Sequence, residues 1–264
     1  MIDTSSIWVV TDIDGTLMDH SYDLNPAMET INWLKDLNIP VIPCTSKTKA
    51  EVKLLRSELD IHDPFIVENG GAIYGEYSDE KSWEIILGKS YCELENILSQ
   101  LSNDINYQLK PLNKLSDKEA TELTGLKGNS LNLMRDRHWS MPFINPPDSL
   151  EKKINNFAKK YNVDIFRGNR MSHLLSNKSN KGLAIQKLIE HSKNLKVKII
   201  GLGDSPNDLP LLEMSNYKIV IPGINGPNKR LLSSLSSSKV IVSDKPHGYG
   251  WKKEVTNLVN HLIL

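Results

Sequence analysis

Val9-Val10-Thr11-Asp12-Ile13-Asp14-Gly15-Thr16 sets two carboxylates two residues apart, where an apolar run meets a tight turn. The run before them, Ile7-Trp8-Val9-Val10, is β-branched and aromatic, the composition of a buried strand. Gly15 and Thr16 mark a sharp exit from it. In an open parallel sheet, ligands bind beyond the carboxyl ends of the strands, so both acids belong at the mouth of a site. Carboxylates this close repel and raise each other's pKa, and burying them together calls for a cation or a shared proton. A hard, oxygen-liganded cation such as Mg2+ removes that repulsion and also attracts phosphate. The plain alternative is a turn with two solvated Asp side chains; the apolar strand before it and the Gly-Thr after it argue against that.

Outward from this motif, strand and helix signals alternate. Ala27, Ile31, Leu34 and Leu37 have helical spacing over 26–37, residues 39–44 form a short apolar run, and 49–59 is amphipathic. A third strand, Phe65-Ile66-Val67, leads into Glu68-Asn69-Gly70-Gly71-Ala72, whose Asn-Gly-Gly turn predicts a hairpin at the sheet edge. After Lys181 the pattern gives a helix over 182–191, a strand over 197–200 and a short helix over 206–214. Strands at 219–221 and 240–242 and a closing helix over 251–262 follow. The alternation predicts an α/β fold with a Rossmann-like parallel sheet. From about 82 to 170 the rhythm loosens. There, 83–87 reads as a strand, 91–101 as a helix, and Ser116-Asp117-Lys118-Glu119 as a Ser-x-x-Glu helix start. Asp148-Ser149-Leu150-Glu151 reads as a similar start for a helix through Lys160, with Pro142, Pro146 and Pro147 as separators.

Thirty-two basic and 32 acidic side chains among 264 residues give a formal net charge of zero, which offers no electrostatic support for a nucleic-acid partner. The length and 39% hydrophobic content fit a globular protein of one or two domains. No apolar stretch nears the roughly 20 residues of a membrane span, so no membrane partner is expected. Asp3 and three small hydroxyl residues stand where a signal peptide would be basic and then apolar. Cys44 and Cys92 are too few for a disulfide framework, and a reducing cytoplasm is the expected compartment.

A second acidic turn, Gly201-Leu202-Gly203-Asp204-Ser205-Pro206-Asn207-Asp208, follows the strand at 197–200. Alone it reads as a capped helix start. If its strand lies beside the first, Asp204 comes to Asp12, and the two glycines let the backbone approach a ligand. Val41-Ile42-Pro43-Cys44-Thr45-Ser46-Lys47-Thr48 ends another strand in a hydroxyl-rich turn suited to binding phosphoryl oxygens. Asn180-Lys181-Gly182 opens a helix with a cation able to neutralise a nucleophile and a phosphoryl group.

In order, these four segments resemble the haloacid dehalogenase superfamily of phosphotransferases. The gap between Thr45 and Lys181 matches members with a large α/β cap between their second and third motifs. The resemblance therefore implies a core from 1–81 and 171–264 and a smaller α/β cap inserted at 82–170. The chain is similar in particular to the mannosyl-3-phosphoglycerate phosphatase family. That similarity rests on Cys44-Thr45-Ser46-Lys47-Thr48-Lys49-Ala50-Glu51-Val52, on Pro64 to Tyr74, and on Leu123-Thr124-Gly125-Leu126. It rests also on the cap segments Arg135-Asp136-Arg137-His138-Trp139-Ser140-Met141-Pro142-Phe143 and Arg167-Gly168-Asn169-Arg170-Met171-Ser172-His173. Met141 stands where that family has an acid and Asn169 where a second glycine is typical, which bears on sugar specificity.

The resemblance implies that Asp12 is the nucleophile, forming an aspartyl-phosphate, and that Asp14 is the acid and base. It implies Mg2+ held by Asp12, Asp204 and the Asp14 backbone carbonyl, with Asp208 orienting a bound water. Thr45, in the turn that also holds Ser46 and Lys47, and Lys181 would bind the transferring phosphoryl group, and Asn207 would touch its phosphate side. Glu68 and Asn69 would meet sugar hydroxyls or the cap hinge. Arg135, Arg137 and Arg170 are the candidates for a glycerate carboxylate, with Lys47 and His173 next. The expected activity is hydrolysis of a mannosyl- or glucosyl-3-phosphoglycerate to a glycosylglycerate, a compatible solute. Alternatives are another sugar-phosphate phosphatase with the same cap, such as a sucrose-phosphate phosphatase, and a non-catalytic sugar-phosphate-binding protein. Against the last, Asp12, Asp14, Lys181 and Asp204 are all present. The expected assembly is a monomer or weak homo-oligomer.

Overall fold

The computed structural model describes residues 6–263 apart from positions 20, 78, 80, 169 and 236–238; Asp3 and Asn169 lie outside the described residues. The chain opens with β1 (Ile7–Thr11), α1 (Asn25–Asp36), β2 (Val41–Pro43), α2 (Lys49–Leu59), β3 (Phe65–Val67), β4 (Ala72–Glu76) and β5 (Ser82–Ile86). It continues with α3 (Tyr91–Ile105), α4 (Asp117–Thr124), α5 (Gly128–Arg135), β6 (Met141–Ile144), α6 (Glu151–Lys160), β7 (Val163–Arg167) and β8 (Met171–Ser176). The last part holds α7 (Lys181–Ser192), β9 (Lys198–Gly203), α8 (Leu209–Met214), β10 (Tyr217–Val220), α9 (Lys229–Ser234), β11 (Val240–Val242) and α10 (His247–Ile263).

The expected α/β core is present. Five parallel strands pair in the order β11-β10-β9-β1-β2, so the two acid-bearing strands, β1 and β9, are neighbours. Ile7 and Val9 pack into one buried layer with α1, α2 and α10, and Trp8 and Val10 into the other with α7 and α8. Burial on both faces is why β1 is a continuous apolar run. Each such side chain contributes roughly 1.5–3 kcal/mol. A single parallel bridge, Cys44 to Ile66, joins this sheet to the antiparallel β3-β4-β5 unit, which supplies the expected edge hairpin.

A second antiparallel sheet, β6-β8-β7, packs against α3 and α6 to form the cap. β5 pairs with β4 of the core rather than opening the cap at 82, and β8 pairs with both cap strands rather than returning to the core at 171. Two local readings also shift. Pro142 lies inside β6, at the sheet edge where a missing N–H donor is tolerated, and does not separate elements. Residues Asp148–Leu150 form a 3-10 turn without a capping box, and the Asp148 carboxylate goes instead to Arg167 Nη2 at 2.7 Å. The Ser116/Glu119 box is formed in full. No helix among the described residues is long and apolar enough to cross a membrane. Both cysteines are free: Cys44 is buried and Cys92, on α3, is exposed.

Candidate active site

Strand register brings the motifs together. Thr11 on β1 lies opposite Leu202 on β9, and the Asp12 N–H continues the ladder to the Leu202 carbonyl at 3.0 Å. One residue further on, both chains turn away from the sheet, leaving Asp12 and Asp204 at the same end. The turn after Asp12 passes directly against Asp204. Gly15 has φ +86°, and a Cβ there would lie 2.7 Å from Asp204 Oδ2. Thr16 Oγ1 donates to Asp204 Oδ1 at 3.4 Å, and the His247 ring donates from Nδ1 to the Gly15 carbonyl at 2.9 Å. Below, Trp251 Nε1 donates to Thr11 Oγ1 at 3.0 Å, and that hydroxyl donates to the Asp12 carbonyl at 2.7 Å.

Lys181, the first residue of α7, is fully buried. Its Nζ lies 2.6 Å from Asp12 Oδ1 and 2.5 Å from Asp208 Oδ1. The other Asp208 oxygen accepts from the backbone N–H groups of Asp204 and Ser205, both at 3.0 Å, and so shapes the acidic turn. Asp12, Asp204 and Asp208 each offer an oxygen within 4.8 Å of the others. Three carboxylates therefore share one ammonium. Burial, then the charge of Asp208, pushes the Asp12 carboxyl up to about 7, against the pull of Lys181. Burial, Asp208 and Asp12 likewise hold the Asp204 carboxyl well above its ordinary range. Burial alone would lower Lys181, but Asp12 and Asp208 outweigh it and keep the ammonium charged. This excess of buried carboxylate is the donor set that fits a hard divalent cation.

Asp14 sits at the rim, 41% exposed, with its carboxylate 3.0 Å from Lys47 Nζ rather than in the buried cluster. Lys47 also approaches Glu51 at 3.7 Å, and these two acids hold it charged despite burial. Thr45 is fully buried beside them, its Oγ1 accepting from the Lys47 N–H at 3.2 Å. From there a chain of bonds reaches the acidic turn. Asn69 N–H donates to the Thr45 carbonyl at 2.9 Å, and Asn207 Nδ2 donates to Asn69 Oδ1 at 3.1 Å.

The cap candidates divide. Arg135 and Arg170 are not brought to this cluster but are bonded within the cap, where charge alone gave no hint of their partners. Arg135 meets Asp117 Oδ1 at 2.5 Å and the Leu115 carbonyl at 2.8 Å, and Arg170 donates to the Thr124 carbonyl. Arg137 instead crosses to the core, donating from Nη1 to the Ser46 carbonyl at 3.0 Å and to Ser140 Oγ at 3.1 Å. Its Nε is buried without a hydrogen-bond partner, as is Nδ1 of His173. Burial, with the Arg137 charge adding, pushes His173 down to about 3.

Glu68 turns its side chain to the 138–140 segment. Its carboxylate is buried and filled: Oε1 accepts from His138 N–H at 2.9 Å, and Oε2 from Trp139 N–H at 3.1 Å and Ser140 Oγ at 2.5 Å. It thus ties the turn at 68 to the 138–140 segment. Trp139 sits in a slot between Gly71 and Gly88, where added Cβ atoms would lie 2.4 and 2.9 Å from its own Cβ. Its Nε1 donates to Tyr74 Oη at 3.0 Å. Sequence reading missed this docking segment, Gly15's contact with Asp204, and His247. Only the glycines carried a signal, as residues where backbone or side chain must pass closely.

A parallel sheet with two neighbouring acid-bearing strands and a buried lysine between them defines a phosphotransferase-type α/β hydrolase. A profile of the haloacid dehalogenase-like hydrolases matches residues 9–222, and the chain belongs to that family. It is similar to the glucosyl-3-phosphoglycerate/mannosyl-3-phosphoglycerate phosphatase of Persephonella marina, at 31% identity over 96% of this chain and 97% of that one. On that family and that relative, the chain is a phosphoric monoester hydrolase. Among solved structures, a Thermoplasma acidophilum protein superposes with a TM-score of 0.70 at 19% identity, covering 96% of this chain and 98% of that one. The sucrose-phosphatase of Synechocystis sp. PCC6803, solved with sucrose and phosphate, superposes with a TM-score of 0.65 at 16% identity and the same coverage. At those identities the likeness is one of fold.

Proposed function

We propose that this phosphatase is Mg2+-dependent and hydrolyses a glycosyl-3-phosphoglycerate, mannosyl or glucosyl, to the glycosylglycerate and phosphate. The observation that carries the chemistry is the group of Asp12, Asp204 and Asp208 around the buried Lys181. The substrate class rests on the activity named for the Persephonella marina relative. Asp12 attacks phosphorus, and the bond to the glycerate oxygen breaks. Asp14 at the rim gives that oxygen its proton and then takes one from the water that hydrolyses the aspartyl-phosphate. Such acid–base help is worth roughly 10²–10⁴ in rate. Lys181 orients Asp12 and offsets charge on the phosphoryl oxygens, while Thr45 and Asn207 position them. Asp12, Asp204 and the Asp14 carbonyl would hold Mg2+, with Asp208 beside them. When bound, Mg2+ neutralises the excess carboxylate charge and that of the phosphoryl group.

Of the cap arginines, Arg137 is the one that reaches the core, at Ser46, and its charge acts on His173, whose Nδ1 is buried without a partner. We assign these two to the glycerate carboxylate. The test is phosphate release from glucosyl- and mannosyl-3-phosphoglycerate, sucrose phosphate, simple hexose phosphates and an aryl phosphate, with and without Mg2+. The expected result is Mg2+-dependent release, with the phosphoglycerate conjugates preferred. Preference for sucrose phosphate would overturn the substrate, and no release from any of them would favour a binding protein.

A further inference from the structure

At the junction of cap and core, three consecutive residues have left-handed backbone: Glu68 at φ 49°, Asn69 at φ 57° and Gly70 at φ 91°. Such a run is unfavourable for residues bearing a Cβ and persists only where its surroundings over-determine it. Here the surroundings come from two sides. On the cap side, the Glu68 carboxylate takes three donors from the 138–140 segment. On the core side, the turn touches three loops of the phosphoryl site, those at 45–48, 180–182 and 204–208. Glu68 N–H donates to the Lys47 carbonyl at 2.9 Å, and Asn69 bonds the Thr45 carbonyl and the Asn207 amide. Gly70 packs on the start of α7, where a Cβ would lie 2.2 Å from the Asn180 carbonyl oxygen and 2.9 Å from the Lys181 nitrogen.

We propose that Glu68 is a positioning residue. Docking of 138–140 onto its carboxylate holds the 68–70 turn in its left-handed form, and that turn sets Asn207 and the Lys181 end of α7. The cap's seating and the phosphoryl site are thereby coupled through one side chain that touches neither substrate nor Asp12. This rests on the roles given above to Lys181 and Asn207.

The side chain has to be an acid. His138 N–H points at one oxygen and Trp139 N–H at the other, so a glutamine sets its NH2 against a donor in either orientation. Glu68→Gln is therefore the main variant, and Ser140→Ala, which removes one donor and leaves the turn's own residues intact, is the milder one. The readouts are amide exchange by mass spectrometry at 138–140, 180–184 and 204–208, with β10 as a control, and kcat and KM on p-nitrophenyl phosphate. Coupling predicts faster exchange at all three segments with β10 unchanged. It also predicts that kcat falls at least about tenfold while KM moves little, with the same pattern weaker in Ser140→Ala. Faster exchange confined to 138–140 with unchanged kcat would overturn the proposal, as would a uniform rise that includes β10. If Glu68→Gln does not fold, Ser140→Ala decides by the same pattern. Coupled exchange with unchanged kcat would support the coupling and fail the roles given to Lys181 and Asn207.

Discussion

The core and the cap treat charge in opposite ways. In the core, two buried carboxylates and a half-buried one face one buried ammonium, so the site holds more negative charge than its own residues neutralise. In the cap, Arg135, Arg167 and Arg170 are each matched to a carboxylate or carbonyl of the cap itself. The first is a site poised for a cation and a phosphoryl group, the second a scaffold held by its own arginines. Arg137, which crosses to the core carbonyl of Ser46, is the exception.

The sharpest break of this comparison is Asp12→Asn. It keeps the shape of the cluster, removes the attacking oxygen, and is expected to cost at least about 10³-fold in turnover with the fold intact by circular dichroism. Activity within tenfold of the parent would remove Asp12 from the chemistry.

Next comes the excess charge itself. Asp204→Ala should weaken Mg2+ binding, so that activity returns only in part at high Mg2+, and EDTA should inactivate the parent enzyme reversibly. Full activity after chelation would contradict the cation reading.

The cap side is sharpened by replacing its arginines one at a time with alanine. A lost charge-assisted bond of about 1.5–3 kcal/mol predicts that Arg137→Ala loses roughly 10–150-fold on a phosphoglycerate conjugate and far less on an aryl phosphate. Arg135→Ala and Arg170→Ala should leave that ratio within about threefold and show instead as small shifts in melting temperature. Selective losses at Arg135 or Arg170 would reverse the assignment.

The smallest effect is on acid stability. His173 is held to about 3, below its ordinary 6.5, by burial first and Arg137 second. The unfolded chain then binds the proton more readily, so this group makes no difference above about pH 6.5 and costs stability as pH falls below it. Urea midpoints of His173→Asn should fall less than those of the parent between pH 7 and about pH 4.5. Parallel curves would show that His173 takes up its proton in the folded state as easily as in the unfolded one.

The core was legible because its chemistry is tied to local signals. Asp12 and Asp204 follow apolar strands, Lys181 opens a helix behind an asparagine cap, and Gly15 and Gly203 sit where the backbone passes against a carboxylate. The cap resisted because its contacts are long-range or weakly patterned. Nothing near Glu68 points to residues 138–140, seventy positions away. Helix α5 begins at a glycine behind Lys127, with no side-chain cap to announce it. Strand β6 contains a proline, which reads as a break until its edge position is known. Arg135 and Arg137, two residues apart on the same segment, have opposite surroundings, a distinction that only three dimensions supply.

The two cysteines give the enzyme a built-in handle for watching its halves move. Cys44 is shut inside the sheet, where burial pushes its thiol up and away from reactivity, while Cys92 stands exposed on a cap helix. A thiol-directed dye added to the folded, unaltered chain therefore lands at one place, on the cap. Paired with a second fluorophore introduced by a substitution on the outer face of α10, it turns cap–core distance into an energy-transfer signal without removing either native cysteine.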